Sequence, residues 1–160
     1  MELMLANKIL NNITYRREMA ALRISEQGRI FCRHDIEHCL SVARIAMLLC
    51  MEHGIPADAD TVYAAALLHD IGRTQEYSCG IPHQIAGKHL AAAILTECGC
   101  PPHQQDAIQN LIAAHRQPDG TVSLEQMFCL ADKRSRTCFA CPAQAACNWE
   151  EEKRTMKIEV

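Results

Sequence analysis

The sequence predicts an all-α protein, a bundle of about six helices followed by a short, cysteine-rich, irregular tail. Apolar residues recur at helical spacing through most of the 160 residues, and no stretch shows the period of two that is typical of strands. Ala, Leu, Ile and Met are abundant while aromatic residues make up only 4%, which favours helices over a β-sandwich. A hydrophobic content of 49% is sufficient for one folded domain.

Start and stop signals divide the chain into six predicted helices, at about residues 2–24, 35–53, 58–70, 83–98, 103–115 and from 123 onward. Asp35 is the expected N-cap of the second helix. Ser123 and Gln126 form a capping box at the start of the sixth. Between the third and fourth helices, a loop is predicted to run through Gly80 and Pro82.

Composition and charge limit the function classes. We expect a helical domain over residues 1–136 with the tail, residues 137–160, packed on it. The net charge of −3 indicates no basic surface for nucleic acid. No apolar run is long enough to span a membrane, and the start of the chain does not resemble a secretory signal. We therefore expect a cytoplasmic protein whose ten cysteines are metal ligands or free thiols rather than disulfides.

Five polar residues fall on the apolar faces of five predicted helices, namely His38, His69, His83, His115 and Asp132, with Asp70 adjacent to one of them. An unpartnered polar group in a core costs roughly 1–3 kcal/mol. A single such residue is best explained as a helix cap or a satisfied core histidine. Five together favour imidazoles and carboxylates gathered around a divalent metal.

The order of these residues resembles the HD superfamily of metal-dependent phosphohydrolases, whose pattern is one His, an adjacent His-Asp pair and a distant Asp. The matches are His38 in HDIEHCLSVARIA, His69 and Asp70 in ALLHDIG, and Asp132 in CLADKRSR. The resemblance covers about residues 30–136. It implies a helical domain with a divalent metal that activates water for attack on phosphorus.

Some branches of that family add two histidines and bind a second ion. His83 in PHQIAGKHL and His115 in LIAAHR stand at the matching places. The resemblance then implies a dinuclear site in which Asp70 bridges the ion held by the first motif residues and an ion held by these two histidines. The alternative is a single-metal site whose pocket they merely line. The mixed nitrogen and oxygen ligands suit iron or manganese.

Other residues beside these motifs are candidates for catalysis together with Asp70. Arg73 and Lys133 are placed to stabilise charge on phosphoryl oxygens. His34 is either a proton donor or a plain helix-start residue.

The resemblance suggests a small phosphorylated substrate, in particular a nucleotide. The branch that splits dinucleoside polyphosphates is similar in size and ligand set. The cyclic dinucleotide branch is disfavoured because its GYP motif is missing after His115. Oxygenase chemistry on the same fold, and a non-catalytic nucleotide-sensing module, stay open as alternatives.

The tail carries Cys138, Cys141 and Cys147 in a C-x2-C-x5-C array. A segment too small to build a core often depends on a metal, and zinc or an iron–sulfur cluster would fit these thiols. Cys129, Cys32 or Cys79 could supply a fourth ligand. The alternative is three reduced thiols.

Overall fold

A computed structural model of the protein describes residues 2–115 and 120–159. The described residues form eight α-helices, which are α1 (Met4–Asn11), α2 (Ile13–Ser25), α3 (Ile36–Glu52), α4 (Ala59–Leu68), α5 (Arg73–Cys79), α6 (His83–Glu97), α7 (Pro102–Ala114) and α8 (Leu124–Arg134). They contain no β-strand, which confirms the all-α prediction. None of the described helices has the length and apolar character needed to cross a bilayer.

Two predicted elements differ from the structure. The single helix expected over residues 2–24 is broken at Asn12, whose backbone is extended and whose side chain accepts a hydrogen bond from the Tyr15 N–H. Asn12 thus acts as the N-cap of a new helix. The loop expected after residue 70 contains α5, which ends at Gly80 in the left-handed conformation that glycine adopts readily.

The core surrounds α4, which packs against α1, α3 and α7. Every residue of α4 from Ala64 to Leu68 is buried, and the alanines among them let neighbouring helices approach closely. Asp60, in the first turn of α4, accepts hydrogen bonds from the backbone N–H groups of Leu5 and Ala6 at 2.8 and 2.9 Å. One helix therefore caps another, which ties the N-terminal segment to the centre of the fold.

The described part of the tail contains three short 3₁₀ turns, at Cys138–Ala140, Gln144–Ala146 and Glu151–Lys153. The Thr155 hydroxyl donates to the Lys133 carbonyl of α8, and the Phe139 N–H donates to the Thr155 carbonyl. These bonds hold the tail against the helical domain. The division of the chain at residues 136 and 137 stays a prediction.

Candidate metal centre and cavity

The six predicted ligands lie at helix ends and meet at one place. They are His38 in the first turn of α3, His69 and Asp70 directly after α4, His83 at the start of α6, His115 directly after α7 and Asp132 in the last turn of α8. All are buried except Asp132, whose side chain is 16% exposed. Five helices therefore contribute to one buried cluster of imidazoles and carboxylates.

The first ligand group consists of His38, His69, Asp70 and Asp132, each of which offers a donor atom within 4.8 Å of the others. His38 Nε2 lies 3.2 Å from Asp132 Oδ1 and 3.2 Å from His69 Nε2. His69 Nε2 lies 3.0 Å from Asp70 Oδ2. The single His, the His-Asp pair and the distant Asp of the sequence pattern are thus brought together.

The second ligand group consists of Asp70, His83 and His115, whose donor atoms also lie within 4.8 Å of one another. His83 Nε2 is 3.6 Å from Asp70 Oδ1, whereas the other oxygen of the same carboxylate faces the first group. Asp70 is shared by both groups, as a bridging carboxylate requires.

Each imidazole of the cluster uses Nδ1 in a hydrogen bond of 2.5–3.1 Å. The partners are the Ala66 carbonyl for His69, the Ile112 carbonyl for His115, the Glu76 carboxylate for His83 and the Ser135 hydroxyl for His38. Carbonyls and carboxylates only accept, and the Ser135 hydroxyl already donates to the Asp132 carbonyl. Nδ1 therefore carries the hydrogen in each ring, and Nε2 directs its lone pair at the cluster, as in metal-ligating histidines.

This arrangement needs positive charge between the rings. Two Nε2 lone pairs 3.2 Å apart repel each other unless a proton or a metal ion lies between them. Burial lowers the pKa of His69, but the Asp70 and Asp132 carboxylates outweigh burial and raise that pKa to about 10. Burial raises the pKa of Asp70, but the neighbouring His69, His38 and Arg73 hold it well below its usual range.

Two buried polar atoms of the cluster have no hydrogen-bond partner among the described residues, Asp70 Oδ2 and His115 Nε2. An unsatisfied buried atom costs about 1–3 kcal/mol. A divalent cation held by both ligand groups would satisfy them together, and nitrogen and carboxylate donors suit iron or manganese. The residues present therefore fit a metal centre.

The predicted cationic residues take different places. Arg73 is buried, and its Nε donates to Asp70 Oδ1 at 2.8 Å, so it orients the shared carboxylate. Lys133 lines the adjacent cavity. Arg136 was not among the predicted residues, yet it is only 6% exposed and places Nη2 3.2 Å from His38 Nε2 and 3.3 Å from Asp132 Oδ1. Its spacing of four residues from Asp132 was an available signal.

His34 reaches the cluster with Nε2 3.9 Å from Asp70 Oδ2. Its Nδ1 contacts Glu26 Oε1 at 2.5 Å, and the Tyr77 hydroxyl donates to the same oxygen. Burial raises the pKa of Glu26, but its bonds to His34 and Tyr77 outweigh burial and lower the pKa to about 2. Glu26 therefore accepts the Nδ1 hydrogen of His34. Glu26 was not predicted as part of the site, because nothing in the local sequence pairs a residue near the end of α2 with one eight positions later.

A cavity of about 480 Å³ opens beside the cluster and is lined both by the helical domain and by the tail. Its cationic lining residues are Arg29, Arg73, Lys133, Arg136 and Lys153. Asp132 supplies the only carboxylate among the described lining residues. Phe31 and Trp149 add aromatic surface. The cavity thus presents cations and rings in a chain whose net charge is negative.

The tail cysteines are less closely grouped. Among residues 2–115 and 120–159, the groups of three or more donors within 4.8 Å are the two described above, and Cys138, Cys141 and Cys147 form none. Cys138 is buried, and the other two are half-buried. Metal binding by the tail stays a prediction.

Comparison with known proteins shows that residues 35–137 match the HD domain family. An uncharacterized protein of Clostridium beijerinckii is 34% identical over 152 residues, which cover 95% of this chain and 96% of that protein. Ribonuclease Y of Clostridium perfringens is 30% identical over 121 residues, or 76% of this chain and 19% of the ribonuclease. Ribonuclease Y of Thermoanaerobacter pseudethanolicus is 35% identical over 80 residues, or 50% of this chain and 14% of the ribonuclease. The chain thus spans less than a fifth of either ribonuclease, and no solved structure matches it significantly.

Proposed function

This chain belongs to the HD-domain family of metal-dependent phosphohydrolases, and on that premise we propose that it hydrolyses a phosphate ester or anhydride bond in a small nucleotide. The observation that carries the proposal is the position of Asp70. Its two oxygens face two complete groups of nitrogen and oxygen donors. A buried carboxylate shared in this way favours an enzyme over a binding module, because ligand binding alone does not need a bridged pair of ions.

The proposed centre holds two divalent ions, with iron or manganese as the best match to its donors. His38, His69, Asp70 and Asp132 would hold one ion, and Asp70, His83 and His115 would hold the other. When bound, such ions supply Lewis-acid chemistry that lowers the pKa of water and neutralises phosphate charge.

The charge of the cavity supports an anionic substrate. Five cationic side chains face one carboxylate around it, although the chain as a whole is acidic. Clefts lined by one sign of charge concentrate ligands of the opposite sign. A phosphorylated molecule is therefore the ligand class that this lining favours.

Size and aromatic surface support a nucleotide within that class. About 480 Å³ lies within the range of small-molecule pockets. Phe31 and Trp149 line the cavity together with the cationic groups, and an aromatic ring can stack on a nucleobase while the cations bind phosphate.

In this proposal, the residues around the centre have separate roles. Arg136 binds a phosphoryl oxygen, because its buried Nε has no hydrogen-bond partner among the described residues. Arg73 holds Asp70 in its bridging orientation through the 2.8 Å bond. With Nδ1 bound to Glu26, His34 has Nε2 free to exchange a proton at the reaction site, and Glu26 stabilises the charged ring that results.

A second candidate is hydrolysis of a phosphodiester in RNA. The similarity to two ribonucleases Y favours it. The net charge of −3 argues against a long nucleic-acid contact, so a short single-stranded RNA is the appropriate form of this substrate.

The test is turnover by purified protein loaded with iron(II) or manganese(II). Nucleoside mono-, di- and triphosphates, dinucleoside polyphosphates and a short RNA are compared by phosphate release and chromatography. We expect a nucleotide to be hydrolysed, with activity lost on chelation and in Asp70→Asn, whose amide cannot replace a bridging carboxylate. Cleavage of RNA alone supports the second candidate. Nucleotide binding without turnover under every metal identifies a sensing module and refutes the proposal.

A further inference from the structure

Four cysteines lie around the contact between the tail and the segment that precedes α3. Cys32 and Cys138 both line the 480 Å³ cavity and also a neighbouring cavity of about 920 Å³. Cys147 lines the first of these cavities, and Cys141 lines the second. All four thiols therefore line these two adjoining cavities, which lie between this segment and the tail.

Backbone hydrogen bonds form consecutive turns between the three tail cysteines. The Cys141 N–H donates to the Cys138 carbonyl at 3.2 Å, which closes a tight turn between the first two cysteines. The Gln144 N–H then donates to the Cys141 carbonyl, and the Cys147 N–H donates to the Gln144 carbonyl. Two cysteines separated by two residues in a tight turn, followed by a third cysteine after further turns, form a typical arrangement of structural metal ligands.

The tail lacks a hydrophobic core. Among its described residues 137–159, the only buried side chain is that of Cys138. Its large apolar residues are exposed, with Phe139 at 44% and Trp149 at 38%. A segment of this size with no core is often stabilised by a disulfide or a metal in addition to its hydrogen bonds, and the described cysteines form no disulfide.

We propose that Cys32, Cys138, Cys141 and Cys147 together bind a thiophilic metal centre, either a zinc ion or an iron–sulfur cluster. Cys32 is the fourth ligand because it is the remaining cysteine that lines these cavities. Cys129 is buried within α8 and Cys79 is exposed at the end of α5, and neither lines the two cavities.

Coordination brings the tail and the segment before α3 closer together. Among the described residues, no three of these thiols lie within 4.8 Å of one another. Sulfur ligands lie about 2.3 Å from a zinc ion, so thiols that share one ion must lie closer together than 4.8 Å. Metal binding therefore moves the tail and the segment before α3 toward each other. Because Cys138, Cys147 and Trp149 also line the cavity beside Asp132, this movement shapes the proposed substrate pocket.

The experiment is metal and acid-labile sulfide analysis of the full chain purified without oxygen. We expect either about one zinc per chain or a coloured iron–sulfur cluster, in addition to metal at the HD ligands. Cys32→Ser and Cys141→Ser should lose this centre. Cys79→Ser, the matched control, should keep it. Asp70→Ala should keep it as well, which separates this inference from the proposed hydrolase activity.

Cobalt(II) reconstitution gives a second readout should a serine variant fold poorly. Wild type and Cys79→Ser should show intense thiolate-to-cobalt absorption, and wild type treated with a thiol-blocking reagent should not. Wild-type protein without thiolate-bound metal overturns the proposal. Cys32→Ser protein that retains the centre overturns the assignment of the fourth ligand.

Discussion

Gly72→Ala tests whether the close approach of α5 and α6 determines the geometry of the second ligand group. Gly72 caps α5 and lies against Gly87 of α6. A Cβ added at Gly72 would lie 2.2 Å from the His83 carbonyl oxygen and 2.3 Å from the Gly87 nitrogen. Both are backbone atoms, which cannot rotate away as a flexible side chain can.

The size of the effect follows from these distances. Ordinary contact begins at 3.4 Å, so the start of α6 must move by about 1.2 Å to relieve the 2.2 Å contact. His83 opens α6, and its Nε2 is 3.6 Å from Asp70 Oδ1, so a shift of that size disrupts their shared geometry. Overpacking typically costs about 1–3 kcal/mol. We expect a loss of stability in that range together with the loss of one ion.

Urea denaturation of chelated protein measures the stability, and metal analysis measures the stoichiometry. Gly87→Ala is the matched control, because the nearest atom to its added Cβ is the Gly72 nitrogen at 3.4 Å. The control should retain both ions and stay close to wild-type stability. If Gly72→Ala also keeps both ions and wild-type stability, the link between the crossing and the site is refuted.

Three further changes test the centre. Asp70→Ala should abolish phosphohydrolase activity and reduce metal content below one ion at this site, and calorimetry should show that added metal raises its Tm by less than it raises the Tm of wild type, because only the proposed cysteine centre remains. Arg136→Gln should lower kcat/KM roughly 10- to 100-fold through lost phosphate binding, whereas Arg134→Gln should stay within about twofold; equal effects would contradict the assignment. Burial lowers the pKa of His34 from 6.5 to about 4, so between these values the unfolded chain binds a proton that the folded chain does not. Stability of chelated protein should therefore fall as pH falls, with a contribution from this residue that approaches about 1.4 kcal/mol per pH unit midway between these values, and urea denaturation at pH 6.5 and 5.0 should show a smaller slope for His34→Gln.

Much of the candidate site could be predicted because its signals are local. His38, His83 and Asp132 stand on helices whose apolar spacing is visible in the chain, and a polar residue on such a face is conspicuous. His69 and Asp70 are adjacent in the chain, so any fold of α4 keeps them together. The start of α3 was predictable for the same reason, since Asp35 caps the His38 N–H three residues away.

Tertiary packing decided the rest, because the interacting groups are remote in sequence or carry no pattern. In the sequence, Glu26 and Arg136 resemble ordinary surface charges. The spacing of Arg136 from Asp132 indicates a pair, but only burial beside His34 and His38 shows that Glu26 and Arg136 belong to the site. The break at Asn12 was hidden because apolar spacing continues across it, while its cap depends on one side-chain bond. The position of Asp70 between the two ligand groups depends on how closely α6 approaches Gly72. The periodicity of a sequence indicates which faces of helices are buried but not the distances between helices.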